Sequence, residues 1–166
     1  QPKIAWAPEM MDSVREMFLF QKKTGIKFTI AELPDNLLIS SLKIFQNEKF
    51  PNEFFAFTQR FGTPTKESLQ EIRIVNTLPK NTLGLYSYNI KIEGEKISLV
   101  DGVIELDAKL IDVNEDTMLY SVFPHELTHM LTEPLVHQHF YRLAVDGKKI
   151  PESIKASEAS EYVVDG

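Results

Sequence analysis

The chain has 166 residues, a net charge of -6 and 43% hydrophobic residues, enough to bury the core of one domain spanning 1–166. Its 18 Lys and Arg are scattered and form no basic patch, which excludes nucleic acid as an expected partner. There is no cysteine, so a disulfide framework, a cysteine-based zinc site and a cysteine nucleophile are all excluded, and any metal must be held by His, Asp or Glu.

No apolar run approaches the roughly 20 residues of a membrane-spanning helix, so no membrane span is expected. The chain begins Gln1-Pro2-Lys3 rather than with Met. That start fits a mature product left after signal cleavage or a trimmed chain, and secretion or the cell envelope is the expected location, with the cytoplasm as the alternative.

From Pro8 to Lys23, Met10, Met11, Val14, Met17 and Phe18 recur at helical spacing, and Gly25 is a helix stop. Ile26 to Ile30 alternates as a strand, closed by the turn Pro34-Asp35-Asn36. Leu37 to Phe45 is a predicted second helix. Asn52 to Phe61 is a short one whose phenylalanines are core candidates, and Gly62, Pro64 and Thr65 break the chain after it.

Strand character begins at Ile72 and Ile74. Ile90 to Ile92 and Ile97 to Leu99 flank Glu93-Gly94-Glu95-Lys96 as a predicted hairpin. Alternation then continues through Ile104, Leu106, Ala108 and Leu110 as one strand. The class is α+β.

Asn114 to Thr117 offers helix-capping residues ahead of the apolar Met118, Leu119, Val122 and Phe123, which lead into Pro124-His125-Glu126-Leu127-Thr128-His129. Spacing i, i+4 on a helix sets the two imidazoles on one face with Cβ atoms about 6 Å apart, close enough to share one tetrahedral ion. Glu126 stands beside them as the candidate catalytic base, while Leu127, Met130 and Leu131 supply a face to pack. The bland alternative is a coincidental pair of histidines with Glu126 a solvated charge. Pro124 must either kink the helix or stand near its start, and Pro134 is expected to end it.

The stretch Val122 to His129 resembles the active-site helix of the zincin metallopeptidases. The resemblance implies a zinc ion bound by His125 and His129, and peptide or protein substrates cleaved by a metal-activated water with Glu126 taking its proton. It also implies a twisted, mostly antiparallel sheet with an edge strand that aligns extended substrate, for which Val103 to Leu110 is the candidate. The metzincin pattern is broken at Thr132 and Leu135, and the peptide deformylases use a cysteine that this chain lacks.

In gluzincins the third ligand is a Glu on a later helix, with a carboxylate or amide four residues on. Glu161-Tyr162-Val163-Val164-Asp165 resembles this, on a predicted helix starting at Pro151-Glu152-Ser153. Glu161 is then the third zinc ligand, and Asp165 holds His125. Glu158, His137 and His139 are rivals for that role, and Glu133 would have to reach back along the helix. Tyr141 and Tyr162 are candidate hydrogen-bond donors to the oxyanion. Two other readings stand beside the peptidase: a non-catalytic binding module on the same fold, and a zinc hydrolase of a non-peptide amide.

Overall fold

The structure, a computed structural model, describes residues 8–147 and the backbone of 159–163. The first predicted helix forms as α1 (Pro8–Thr24) and stops at Gly25, whose φ of +74° favours glycine. β1 (Lys27–Ile30), α2 (Asp35–Lys43) and α3 (Lys49–Phe61) follow, close to their expected places. Phe20, Phe28, Phe45, Phe50 and Phe54 are all buried and meet mostly edge to face, the geometry aromatic quadrupoles favour. Phe61 ends α3 outside this core at 57% exposure.

The strands are β2 (Glu71–Val75), β3 (Thr82–Glu93), β4 (Lys96–Asp107) and β5 (Ala159–Val163), in the sheet order β1-β2-β4-β3-β5. The expected hairpin is present, with Glu93 paired to Lys96 across its turn. The sheet is mixed rather than mostly antiparallel: β1, β2 and β4 run parallel, and β3 and β5 complete it with antiparallel pairings. The helical connection through α2 and α3 carries the chain back to lay β2 parallel to β1, as parallel neighbours require.

Val103 to Leu110 departs from its expected place in two ways. Residues up to Asp107 belong to β4, an interior strand between β2 and β3, so the strand beyond it on that side is β3. The alternation breaks at Asp107, whose carboxylate accepts a hydrogen bond from the Lys109 N–H and so caps a helix, α4 (Ala108–Val113). Gly102 has its own reason for being glycine. A Cβ there would lie 1.9 Å from the Ser68 carbonyl oxygen, where the segment entering β2 crosses β4.

After α4 come a short turn, α5 (Glu115–Thr117), and a π-helical stretch, Met118–Val122, before α6 (Phe123–Val145). Asn114 caps α5, its side chain accepting from the Thr117 N–H at 3.1 Å. Pro124 lies in the first turn of α6. Its ring would press on the carbonyl of Tyr120 in a continuous α-helix, and the wider π turn relieves that clash, with Phe123 N–H bonding to Met118 O. Phe123 then stacks on Phe50 with centroids 4.5 Å apart, pinning the start of α6 to the aromatic core.

Pro134 does not end α6, which runs eleven residues further, to Val145. Docking onto the β3–β4 hairpin offsets the lost backbone bond. Gln138 accepts from Ile97 N–H and donates to Glu95 O, both at 2.8 Å, and the Tyr141 hydroxyl donates to Gly94 O at 3.2 Å. No described helix is long and apolar enough to cross a membrane.

Candidate metal centre

The first two turns of α6 carry the candidate chemistry. Leu127 and Met130 are buried, and they turn that side of the helix into the core. His125 and His129 stand on a neighbouring face. Their Nε2 atoms point at each other 3.0 Å apart, with rings at 75°. Two nitrogens bound to one tetrahedral zinc stand about 3.3 Å apart, so the pair fits a shared ion with a small adjustment. Burial, and then the neighbouring His129 ring, hold the His125 imidazole below its usual pKa. The neutral ring is the form that ligates.

Glu126 is fully buried. β3 runs against it at Gly84, where a Cβ would come within 2.8 Å of Val122 Cγ1, 3.1 Å of Glu126 Cγ and 3.3 Å of Glu126 Oε2. A strand carrying any side chain at residue 84 would therefore have to stand further off, and glycine in a strand interior marks such a close approach. The helix supplies the two imidazoles and the carboxylate, while the strand closes over the carboxylate.

Further along α6 lies a second set of polar groups continuous with the first. Glu133 Oε2 is 3.4 Å from His129 Nδ1. The Tyr88 hydroxyl, from β3, donates to Glu133 Oε1 at 3.0 Å and lies 2.8 Å from His137 Nε2. Glu133 and His137 have side chains only 15% and 14% exposed. Tyr86 stacks obliquely on Tyr88, and burial, followed by the Glu133 charge, pushes its phenol well above the usual range.

These positions sort the expected ligands. Glu133 reaches the Nδ1 side of His129, away from the Nε2 atoms that face each other, so it backs the ring. His137 is two turns beyond His129, about 12 Å along the axis, too far to share its ion. His139 is exposed and its ring contacts Phe140. Among the described residues, no group of three His, Asp or Glu side chains is arranged to hold a metal.

Glu161 lies on β5, a strand where a helix was expected, with its backbone opposite Leu85. Leu85 adjoins Gly84, so β5 runs beside the strand that covers Glu126. Tyr162 is on the same strand, opposite Gly84. Glu158 and Asp165 lie outside the described residues, as does Pro151 to Ser153, the expected helix start. Tyr141 is engaged with the hairpin turn.

Sequence reasoning did not single out Gly84 or Tyr88. A signal was present in Leu83-Gly84-Leu85-Tyr86-Ser87-Tyr88, an alternating strand pattern with a glycine inside it. A scan against protein-family models finds no matching family, and searches of curated proteins and of solved structures find no match to this chain.

Proposed function

We propose that the chain is a zinc-dependent peptidase of the zincin type, with His125 and His129 as two ligands, Glu126 as general base and a third ligand from the C-terminal segment. The observation that carries this reading is the convergence of the two Nε2 atoms beside a fully buried carboxylate. Among the C-terminal carboxylates the candidates are Glu161 and Glu158, and the register of β5 puts position 161 level with Leu85, out of step with Gly84, the position that meets α6. When bound, zinc supplies a Lewis acid that polarises the scissile carbonyl and lowers the pKa of a water.

The chain's own residues do the rest. Glu126 accepts a proton from the attacking water at its carboxylate and returns it to the leaving amine. β3, packed at Gly84 against Val122 and Glu126, keeps bulk water away from that carboxylate. The substrate class is an extended peptide. β3 takes an antiparallel strand along its outer edge, as its pairing with β5 illustrates, and that edge passes the catalytic carboxylate at Gly84.

One observation favours the second reading, a non-catalytic binding module: β5 occupies the edge a substrate would use. Incubating the chain with a mixed peptide library, with and without a zinc chelator, separates the two. Chelator-sensitive cleavage is expected. No cleavage by the zinc-loaded chain would favour the module, and cleavage confined to non-peptide amides would redirect the substrate class.

A further inference from the structure

We infer that Glu133, braced by Tyr88 and His137, is a positioning residue that fixes the tautomer of His129 and so sets the metal affinity of the site. The inference rests on the zinc reading above, but its geometry is independent of the third ligand. A carboxylate has only acceptor oxygens, so the contact between Glu133 Oε2 and His129 Nδ1 is attractive only when Nδ1 carries the ring proton. Nε2 is then left with a lone pair, directed at His125 Nε2. This is the tautomer that a ligand histidine needs.

The same proton count fixes the rest of the chain. Tyr88 has one hydroxyl proton and donates it to Glu133 Oε1. His137 Nε2, 2.8 Å away, must then donate to the Tyr88 oxygen, which places its own proton on Nε2. Each group thus has one role: His137 orients the hydroxyl, the hydroxyl holds one oxygen of Glu133, and the other oxygen holds His129. The sequence spacing makes this possible, because His129, Glu133 and His137 follow at intervals of four on one helix face while Tyr88 reaches in from β3.

At 3.4 Å the Glu133–His129 contact is long for a hydrogen bond, which is why the bracing matters. A free Glu133 side chain has several rotamers, and only one faces the ring. Tyr88 and His137 restrict that choice within a mostly buried setting.

The test uses the full chain as wild type, Glu133→Gln and Tyr88→Phe. Imidazole nitrogen NMR shifts of the metal-free protein report the tautomer, and competition with a chromophoric chelator reports zinc affinity. His129 of the wild type is expected to carry its proton on Nδ1. Glu133→Gln, whose amide can present either an acceptor or a donor, is expected to weaken zinc binding about tenfold or more with stoichiometry and melting temperature retained. Tyr88→Phe is expected to weaken it severalfold.

A wild-type His129 protonated on Nε2, or a folded Glu133→Gln that binds zinc as tightly as wild type, overturns the inference. If Glu133→Gln does not fold, Tyr88→Phe and the wild-type shifts decide it. A wild-type chain that binds no zinc overturns the peptidase reading and the affinity half of this inference, and the His129 tautomer then decides the positioning of the ring alone.

Discussion

Gly84→Ala perturbs the point where β3 meets the catalytic helix. The new Cβ would stand 2.8 Å from Val122 Cγ1 and 3.1 Å from Glu126 Cγ. Carbon atoms in contact prefer about 3.5–4.0 Å, so roughly 1 Å of separation must be found. Val122 cannot supply it by rotating, since it is β-branched and fully buried. Nor can α6 withdraw easily, held by the Phe123–Phe50 stack at one end and by Gln138 on the hairpin further along.

Elsewhere in a strand, Gly→Ala stabilises by about 0.4–1 kcal/mol through the unfolded state. Overpacking of a filled core costs about 1–3 kcal/mol and here outweighs that gain, leaving a net loss of about 1–2 kcal/mol. Denaturant unfolding measures it. The displacement falls on Glu126, and a misplacement near 1 Å at a reacting group costs on the order of a hundredfold in rate. Peptide cleavage by Gly84→Ala is therefore expected to fall far more than its stability. A variant as stable and as active as wild type would refute the close packing of β3 on Glu126.

Glu161→Ala is expected to lower zinc occupancy measured by elemental analysis, and unchanged stoichiometry would move the third ligand to Glu158. Deleting 159–166 should free the outer edge of β3, visible as faster amide exchange in β3; unchanged exchange would contradict the pairing with β5. Pro134→Ala restores a backbone donor in the middle of α6 and is expected to raise stability by about 1–3 kcal/mol, with a lowered melting temperature as the contrary result.

Glu71 supplies a pH dependence. Burial alone would raise its carboxyl pKa, but hydrogen bonds from Arg73 and Thr29 outweigh it and hold the pKa below the usual value. A depressed folded pKa means stability that is present above the unfolded carboxylate value and lost as pH falls through the folded one. Arg73 is half exposed, so the deficit of Glu71→Gln is set at only about 1 kcal/mol near neutrality, shrinking in acid. A deficit independent of pH would contradict the sign.

Elements with a plain period were legible in the sequence. The alternation of β1 follows from Phe28 facing the core, whereas the spacing read in α1 included Met11 and Phe18, which are exposed, and the helix is seated instead by Phe20. The pair His125 and His129 was legible too, because i, i+4 on a helix dictates their approach. Pro134 misled because the cost of a proline is a local quantity, whereas Gln138 and Tyr141 repay it through contacts with residues some 40 positions away in the sequence. The mixed sheet was hidden for a similar reason: alternation shows that a strand exists and not which neighbour it takes. The strand was read through to Leu110, past the cap at Asp107, since an acidic residue after an apolar one suits the polar side of a strand and a helix cap alike. Glu133 looked like a poor ligand because its spacing points along the helix, and that same spacing puts it behind His129.

Peptide cleavage by zinc-loaded wild type and Glu126→Gln, each assayed with and without chelator at matched zinc content, decides whether Glu126 serves a metal-activated water. Wild type is expected to cleave and to stop when zinc is removed, while Glu126→Gln keeps its zinc and does not cleave. Equal cleavage by the two proteins, or cleavage indifferent to the chelator, would contradict a metal-activated water with Glu126 as its base.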